Sequence, residues 1–201
     1  MMATTHALWG MALALPVLAT APEYAPAAFL AGLVGGFAPD ADMYTGHRKT
    51  LHFPVYASIA VIPAAVLAVL VPTMGTIALA VGLAAAALHA VSDVLGGGIE
   101  LRPWQGTSER AVYSHYHGRW LRPRRVVRYD GAPEDLALAG VVAVPLLAIG
   151  NEVVTAVVIA LLAVSSVYVV LRKSLAGVAA RLAGLLPAPV REHVPARYLE
   201  T

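Results

Sequence analysis

The chain has 201 residues, 59% of them hydrophobic and 13% charged, with a formal net charge of +2. Soluble domains are about a quarter charged, so this balance excludes an ordinary soluble enzyme, and the apolar content excludes a disordered or nucleic-acid-coating chain. There is no cysteine, so a disulfide framework or thiolate site is excluded and any metal must be held by His, Asp or Glu.

In chain order, uncharged apolar runs cover residues 7–21, 26–38, 53–90 and 136–171. A helix through the last run would be about 54 Å long, against a hydrocarbon core of about 30 Å. It must break, and Gly150-Asn151 is the turn signal; Pro72 and Gly75 split the third run in the same way. The predicted elements are six membrane helices at 4–21, 25–39, 53–72, 76–97, 135–149 and 152–171. The first, second and fifth are short, and short spans can be re-entrant or can line a thinned or polar pocket protected by neighbours. A cleaved signal peptide is the rival reading of residues 1–21, although no Lys or Arg precedes the apolar stretch and Pro22 follows Ala19-Thr20-Ala21.

Residues 98–134 form the one sizeable polar segment. Alternation in residues 111–118 and again in 125–129 predicts a small β-hairpin, with its turn between Gly118 and Pro123. Residues 172–186 place Leu175, Val178, Leu182 and Leu185 on one face, as in an amphipathic surface helix. The fold class is an all-α integral membrane bundle with a small β-hairpin insertion. Residues 1–171 make a single membrane domain, and 172–201 a C-terminal amphipathic helix and polar tail.

If the six helices alternate, the N-terminus, residues 40–52, residues 98–134 and the C-terminus share one face. All 14 Lys and Arg lie there, which assigns that face to the cytoplasm of a multi-pass plasma or inner membrane protein.

The same face gathers the ionisable residues. His6 opens the first helix, Asp40 and Asp42 close the second, and His47 and His52 frame the loop leading to the third. His89 and Asp93 lie four apart at the end of the fourth, on one helix face. Each alone has an ordinary reading: His6 as a cap, the aspartates as helix ends, and His47, Arg48 and Lys49 as an exposed loop facing anionic headgroups. His89 and Asp93 interrupt an apolar helix, where ionisable groups usually mark a functional interior. Together, His6, Asp40, Asp42, His52, His89 and Asp93 read as ligands of one or two divalent ions. A set without thiolate suits zinc, with manganese or iron as alternatives. Asp40, Asp42 and His47 are the candidate catalytic groups, and Arg48 and Lys49 the candidate headgroup-binding ones. His115 and His117 point the same way along an alternating strand and could reach a metal, but surface positions are the commoner reading. The clustered arginines of residues 119–128 face lipid headgroups rather than nucleic acid.

The run from His6 through Pro39-Asp40-Ala41-Asp42, His47-Arg48-Lys49-Thr50-Leu51-His52 and His89-x-x-x-Asp93 to Gly97-Gly98 and Pro103-Trp104 resembles the membrane-bound metal-dependent hydrolase family. Its members are also described as LexA-binding, inner-membrane-associated hydrolases. The resemblance covers residues 1–105. Lys49 stands where that family usually has Gly, Leu51 separates Thr50 from His52, and Val94-Leu95-Gly96 replaces a stretch that often carries Thr. A weaker similarity is to zinc-dependent phospholipase C, which also gathers ligands from helices. The resemblance implies a metal-dependent hydrolase, and a site at headgroup depth implies a phospholipid or other amphiphilic phosphoester as substrate. Two other classes stay open: a non-catalytic membrane protein whose structural metal site recruits a cytosolic regulator, and a small ion-coupled transporter.

Overall fold

A computed structural model describes residues 1–199, apart from the Tyr44 side chain. Its helices are α1 (Ala3–Ala12), α2 (Leu15–Thr20), α3 (Ala25–Phe37), α4 (Pro54–Leu70), α5 (Met74–Ser92), α6 (Pro133–Leu147), α7 (Glu152–Leu185) and α8 (Ala188–Arg191). Each expected apolar segment is helical, but the expectation of six spans is corrected. Among the described residues, three stretches are long and apolar enough to cross a membrane: Ala3–Thr20, Met74–Leu95 and Glu152–Leu185. Helices α3 and α6 have 13 and 15 residues, about 20 and 22 Å, too short for a core of about 30 Å. Pro54–Leu70 is apolar but also short.

Helix α3 packs between α1 and α5, with α4 against α5 and with α6 and α7 against α1. Small residues permit this spacing. A Cβ on Gly32 would lie 2.1 Å from the Gly10 carbonyl oxygen, and one on Gly35 would lie 2.3 Å from that of Gly82. Glycine therefore lets α1 and α5 approach α3 backbone to backbone. Leu8, Phe29, Val81, Leu146 and Val158 fill the core around these crossings.

Local signals account for the breaks. Thr73 and Thr76 form a reciprocal capping box that starts α5. Asn151 accepts a hydrogen bond from the Val154 N–H at 3.0 Å and starts α7, directly after Gly150 at φ 70°. The second expected break, at residue 171, is absent: the predicted amphipathic helix is the C-terminal half of α7. Arg, Lys, Ala and Leu favour helix, and Arg172 finds its partner without leaving the bundle. Its Nε and Nη2 donate to the Asp130 carboxylate at 2.8 and 3.1 Å.

The hairpin exists with a different second strand. Strand β1 (Val112–Ser114) pairs antiparallel with β2 (Arg119–Leu121), with Tyr113 opposite Trp120. Its turn spans 115–118, with Gly118 at φ 62°. Residues 124–127 instead donate to another segment, from Arg124 N to Val94 O at 2.8 Å and from Val127 N to Leu95 O at 3.1 Å. This contact ties the polar insertion to the end of α5.

Candidate metal centre

Four side chains from three places in the fold meet at one end of the bundle. Asp40 comes from the 3-10 turn Ala38–Tyr44 after α3. His52 precedes α4, His89 lies on the last turn of α5, and Asp93 follows it. One potential ligand atom from each lies within 4.8 Å of all the others, and this group could hold a metal ion. His89 Nε2 is 3.5 Å from Asp40 Oδ1 and 3.6 Å from Asp93 Oδ2. His52 Nε2 is 4.0 and 3.5 Å from the same two oxygens. A tetrahedral ion with bonds of about 2.0–2.1 Å has ligand-to-ligand edges of roughly 3.4 Å, so the spacing is close to that of a coordination shell.

The imidazoles are the informative members. Both Nε2 atoms are buried without a hydrogen-bond partner, a state that ordinarily costs about 1–3 kcal/mol per group. Their Nδ1 atoms are fully engaged. His52 Nδ1–H donates to Asp42 Oδ2 at 3.0 Å. His89 Nδ1 lies 2.6 Å from the Gly36 carbonyl oxygen, which only accepts, so Nδ1 carries the proton. When neutral, both rings therefore present an Nε2 lone pair to the same point. Holding the distal ring nitrogen in this way is how proteins orient metal-binding histidines, so the residues present fit a divalent ion.

Two of the six expected ligands face elsewhere. Asp42 is buried and forms the hub of the 47–52 loop. Its Oδ1 accepts from His47 Nδ1–H and the Arg48 N–H at 3.2 Å each. Its Oδ2 accepts from the Lys49 and Leu51 N–H groups at 3.3 and 3.1 Å, as well as from His52. Burial opposes its charge, but the His47, His52 and Leu51 donors hold the carboxyl well below its ordinary range. Asp42 thus orients the rings, and both of its oxygens face the loop donors rather than the group of Asp40, His52, His89 and Asp93. His6 is stacked on His89 with centroids 3.7 Å apart. Its Nε2–H donates to Asp93 Oδ1 at 3.0 Å and its Nδ1 faces Ser92 Oγ at 3.3 Å, so neither nitrogen is free.

The basic pair is also reassigned. Arg48 was expected at the surface but is 5% exposed. Its Nε lies 3.1 Å from Asp93 Oδ2 and its Nη1 donates to Gly97 O at 2.8 Å. Arg48 has φ 58°, a left-handed conformation that costs a non-glycine residue roughly 1–2 kcal/mol and turns the side chain inward. Lys49 is exposed, with its ammonium over the Tyr113 ring at 4.6 Å, on the hairpin side. His115 Nε2–H donates to the Lys49 carbonyl at 2.7 Å and His117 Nδ1 pairs with Ser114 Oγ at 2.8 Å; neither reaches the metal group.

Asp40 and His47 are less buried than the other site residues. Both line a cavity of about 750 Å³ between α3 and α7, with Arg48, Asp130 and Arg172 at its polar end. Burial works against the Asp40 charge, but His89 beside it brings the carboxyl down to about 2. Burial lowers the His47 pKa below 6.5, with Asp42 opposing the shift and Arg48 adding to it. Sequence reasoning missed the Asp130–Arg172–Tyr168 cluster on this wall, where the Tyr168 hydroxyl donates to Asp130 at 2.5 Å. The only hint was an arginine at the end of an apolar run.

Compared with known proteins, the chain matches no family model, no curated protein and no solved structure.

Proposed function

We propose that this protein is a membrane-embedded, metal-dependent hydrolase that binds one divalent ion through Asp40, His52, His89 and Asp93 and cleaves an amphiphilic phosphoester at the membrane surface. The observation that carries the reading is the pair of buried, partnerless Nε2 atoms turned toward two carboxylates, one of which opens onto a large cavity. Nitrogen and oxygen donors without thiolate suit zinc, with manganese or iron as alternatives. A bound ion supplies a Lewis-acidic centre that makes water more acidic and stabilises negative charge developing on the substrate.

The chain's own residues supply the rest. His47 is the proton acceptor: Asp42 fixes its Nδ1–H, and Nε2 is the nitrogen left to take a proton. The lowered pKa keeps the ring neutral near pH 7, as a base requires. Arg48 compensates Asp93 and keeps the paired carboxylates from repelling one another. The resemblance of residues 1–105 to the membrane-bound metal-dependent hydrolase family implies the same chemistry. The basic residues sit on the cytoplasmic side of the cell membrane. Arg172 reaches the Leu101 carbonyl and Asp130, so the basic insertion and the basic part of α7 share one end, in keeping with the positive-inside rule.

The test is turnover by metal-loaded protein on a panel of phospholipids and lipid phosphomonoesters, with His89→Ala as the blank. His47→Gln should keep the metal and lose about a hundredfold or more in kcat. Metal fully bound with no turnover on any amphiphile would overturn the hydrolase in favour of a structural metal site.

A further inference from the structure

A second cavity, of about 460 Å³, lies beside the first along the same two helices. Leu33 of α3 and Val157 of α7 line both, so the two cavities adjoin at this pair and together offer an extended ligand a groove. Its polar end carries Asp40, His47, Arg172 and Arg197, its middle Phe37, Leu161 and Val164, and its far end Leu18, Phe29, Leu30 and Ile149. Leu30 and Val164 are 62% and 57% exposed, so the groove opens sideways between the helices.

We propose that this groove holds the hydrocarbon chain of a membrane lipid with an anionic phosphate headgroup. The phosphate sits by Asp40, His47 and Arg197, and the chain passes Leu33 and Val157. This names the substrate class of the hydrolase proposed above and rests on that reading. Three observations select the occupant. Of the cations at the polar end, Arg48 is matched by Asp93 and Arg172 by Asp130. Among the described residues Arg197 has no carboxylate partner, since its Nη2 donates to the Met43 carbonyl and the Tyr198 hydroxyl; it complements an anion. The groove runs the length of α3, whose 13 residues extend about 20 Å, deeper than the roughly 15 Å of one leaflet of a core about 30 Å thick. Its far walls are apolar, so a soluble phosphate would leave them unfilled and a peptide would leave its amides unpaired.

Purified full-length protein in detergent would be titrated with dioleoyl phosphatidic acid, dioleoylglycerol and glycerol 3-phosphate, with binding and metal content read by native mass spectrometry. Phosphatidic acid should bind best. Leu33→Trp and, independently, Val157→Trp put an indole at the junction and should weaken it at least tenfold with metal content unchanged. Arg197→Gln should weaken it about fivefold, the equivalent of one cation near a lipid phosphate, and leave dioleoylglycerol unaffected. Equal binding of phosphatidic acid by wild type and both Trp variants would overturn the groove. So would glycerol 3-phosphate or dioleoylglycerol binding as tightly as phosphatidic acid. A lipid-free dimer that Leu33→Trp dissociates would overturn it in favour of a second copy of the chain. Phosphatidic acid bound and displaced by both Trp variants, but never turned over by a panel-tested metal-loaded protein, would support the groove and refute the hydrolase alone.

Discussion

Replacing Asp42 with Asn separates a residue that binds the metal from one that holds the ligands. The Asp42 carboxylate accepts from two donors on Oδ1, His47 Nδ1–H and Arg48 N–H, and from three on Oδ2, Lys49 N–H, Leu51 N–H and His52 Nδ1–H. An amide has one accepting oxygen, so the smaller loss puts the new NH2 group on the Oδ1 side, facing two donors it cannot satisfy. Hydrogen bonds to a charged acceptor contribute about 1.5–3 kcal/mol and to a neutral one about 0.5–1.5. The two bonds lost outright should therefore cost the loop roughly 3–6 kcal/mol. His52 keeps a hydrogen bond, but to a neutral oxygen that makes its Nε2 less basic. Losing such a supporting group typically weakens metal binding about 10–100-fold, equivalent to about 1.4–2.7 kcal/mol. Chelator competition on purified protein measures that affinity, and the unfolding midpoint in detergent measures the loop. His89→Ala should abolish tight binding. Asp42→Asn abolishing it equally would restore Asp42 as a direct ligand, and affinity within twofold of wild type would show that the ring is held by something else.

Asp130→Asn should lower stability by about 3 kcal/mol or more, because it leaves the Arg172 guanidinium in the bundle without its carboxylate. Burial opposes the Asp130 charge, but Arg172 depresses its folded pKa below the ordinary 3.8. Its contribution is therefore complete above that value and lost as pH falls through the folded one. The midpoint gap between wild type and Asp130→Asn should be constant above about pH 5 and close in acid; a gap that widens in acid would reverse the assignment. Gly32→Ala should destabilise by about 3 kcal/mol, at the upper end for overpacking, because the new Cβ meets the Gly10 carbonyl. Gly177→Ala, with nothing within 4 Å, should gain up to about 1 kcal/mol; thermal melts giving both the same sign would refute the close α1–α3 crossing. For topology, cysteines at Ser108 and Gly150 probed with an impermeant thiol reagent on intact cells should label at 150 and not at 108 if the 15-residue α6 crosses the bilayer; equal protection of both would show that α6 stays on the face of residue 108, and labelling at 108 alone would invert the protein.

Hydropathy and turn chemistry located the helices without any structure. The breaks at Pro72 and Gly150-Asn151 are local events, set by φ angles and caps, and local signals are legible in sequence. The gathering of His and Asp residues at one end was also legible, because each of them lies at or beside the end of an apolar segment. Spanning was less legible, since a short helix such as α3 counts by its length against the bilayer and by whether α1 and α5 cover it. The direction in which each side chain points was decided only by the tertiary structure. Asp40 and Asp42 are two residues apart in a turn of about 3.0 residues per revolution, so their carboxylates diverge by about 120°, one to the metal group and one into the loop. Arg48 turns inward through a left-handed backbone that its residue type does not announce. Within the continuous α7, Arg172 is held by Asp130, 42 positions earlier in the chain. A contact that distant leaves no trace in periodicity, because the free energy that favours it exists only once the helices have packed.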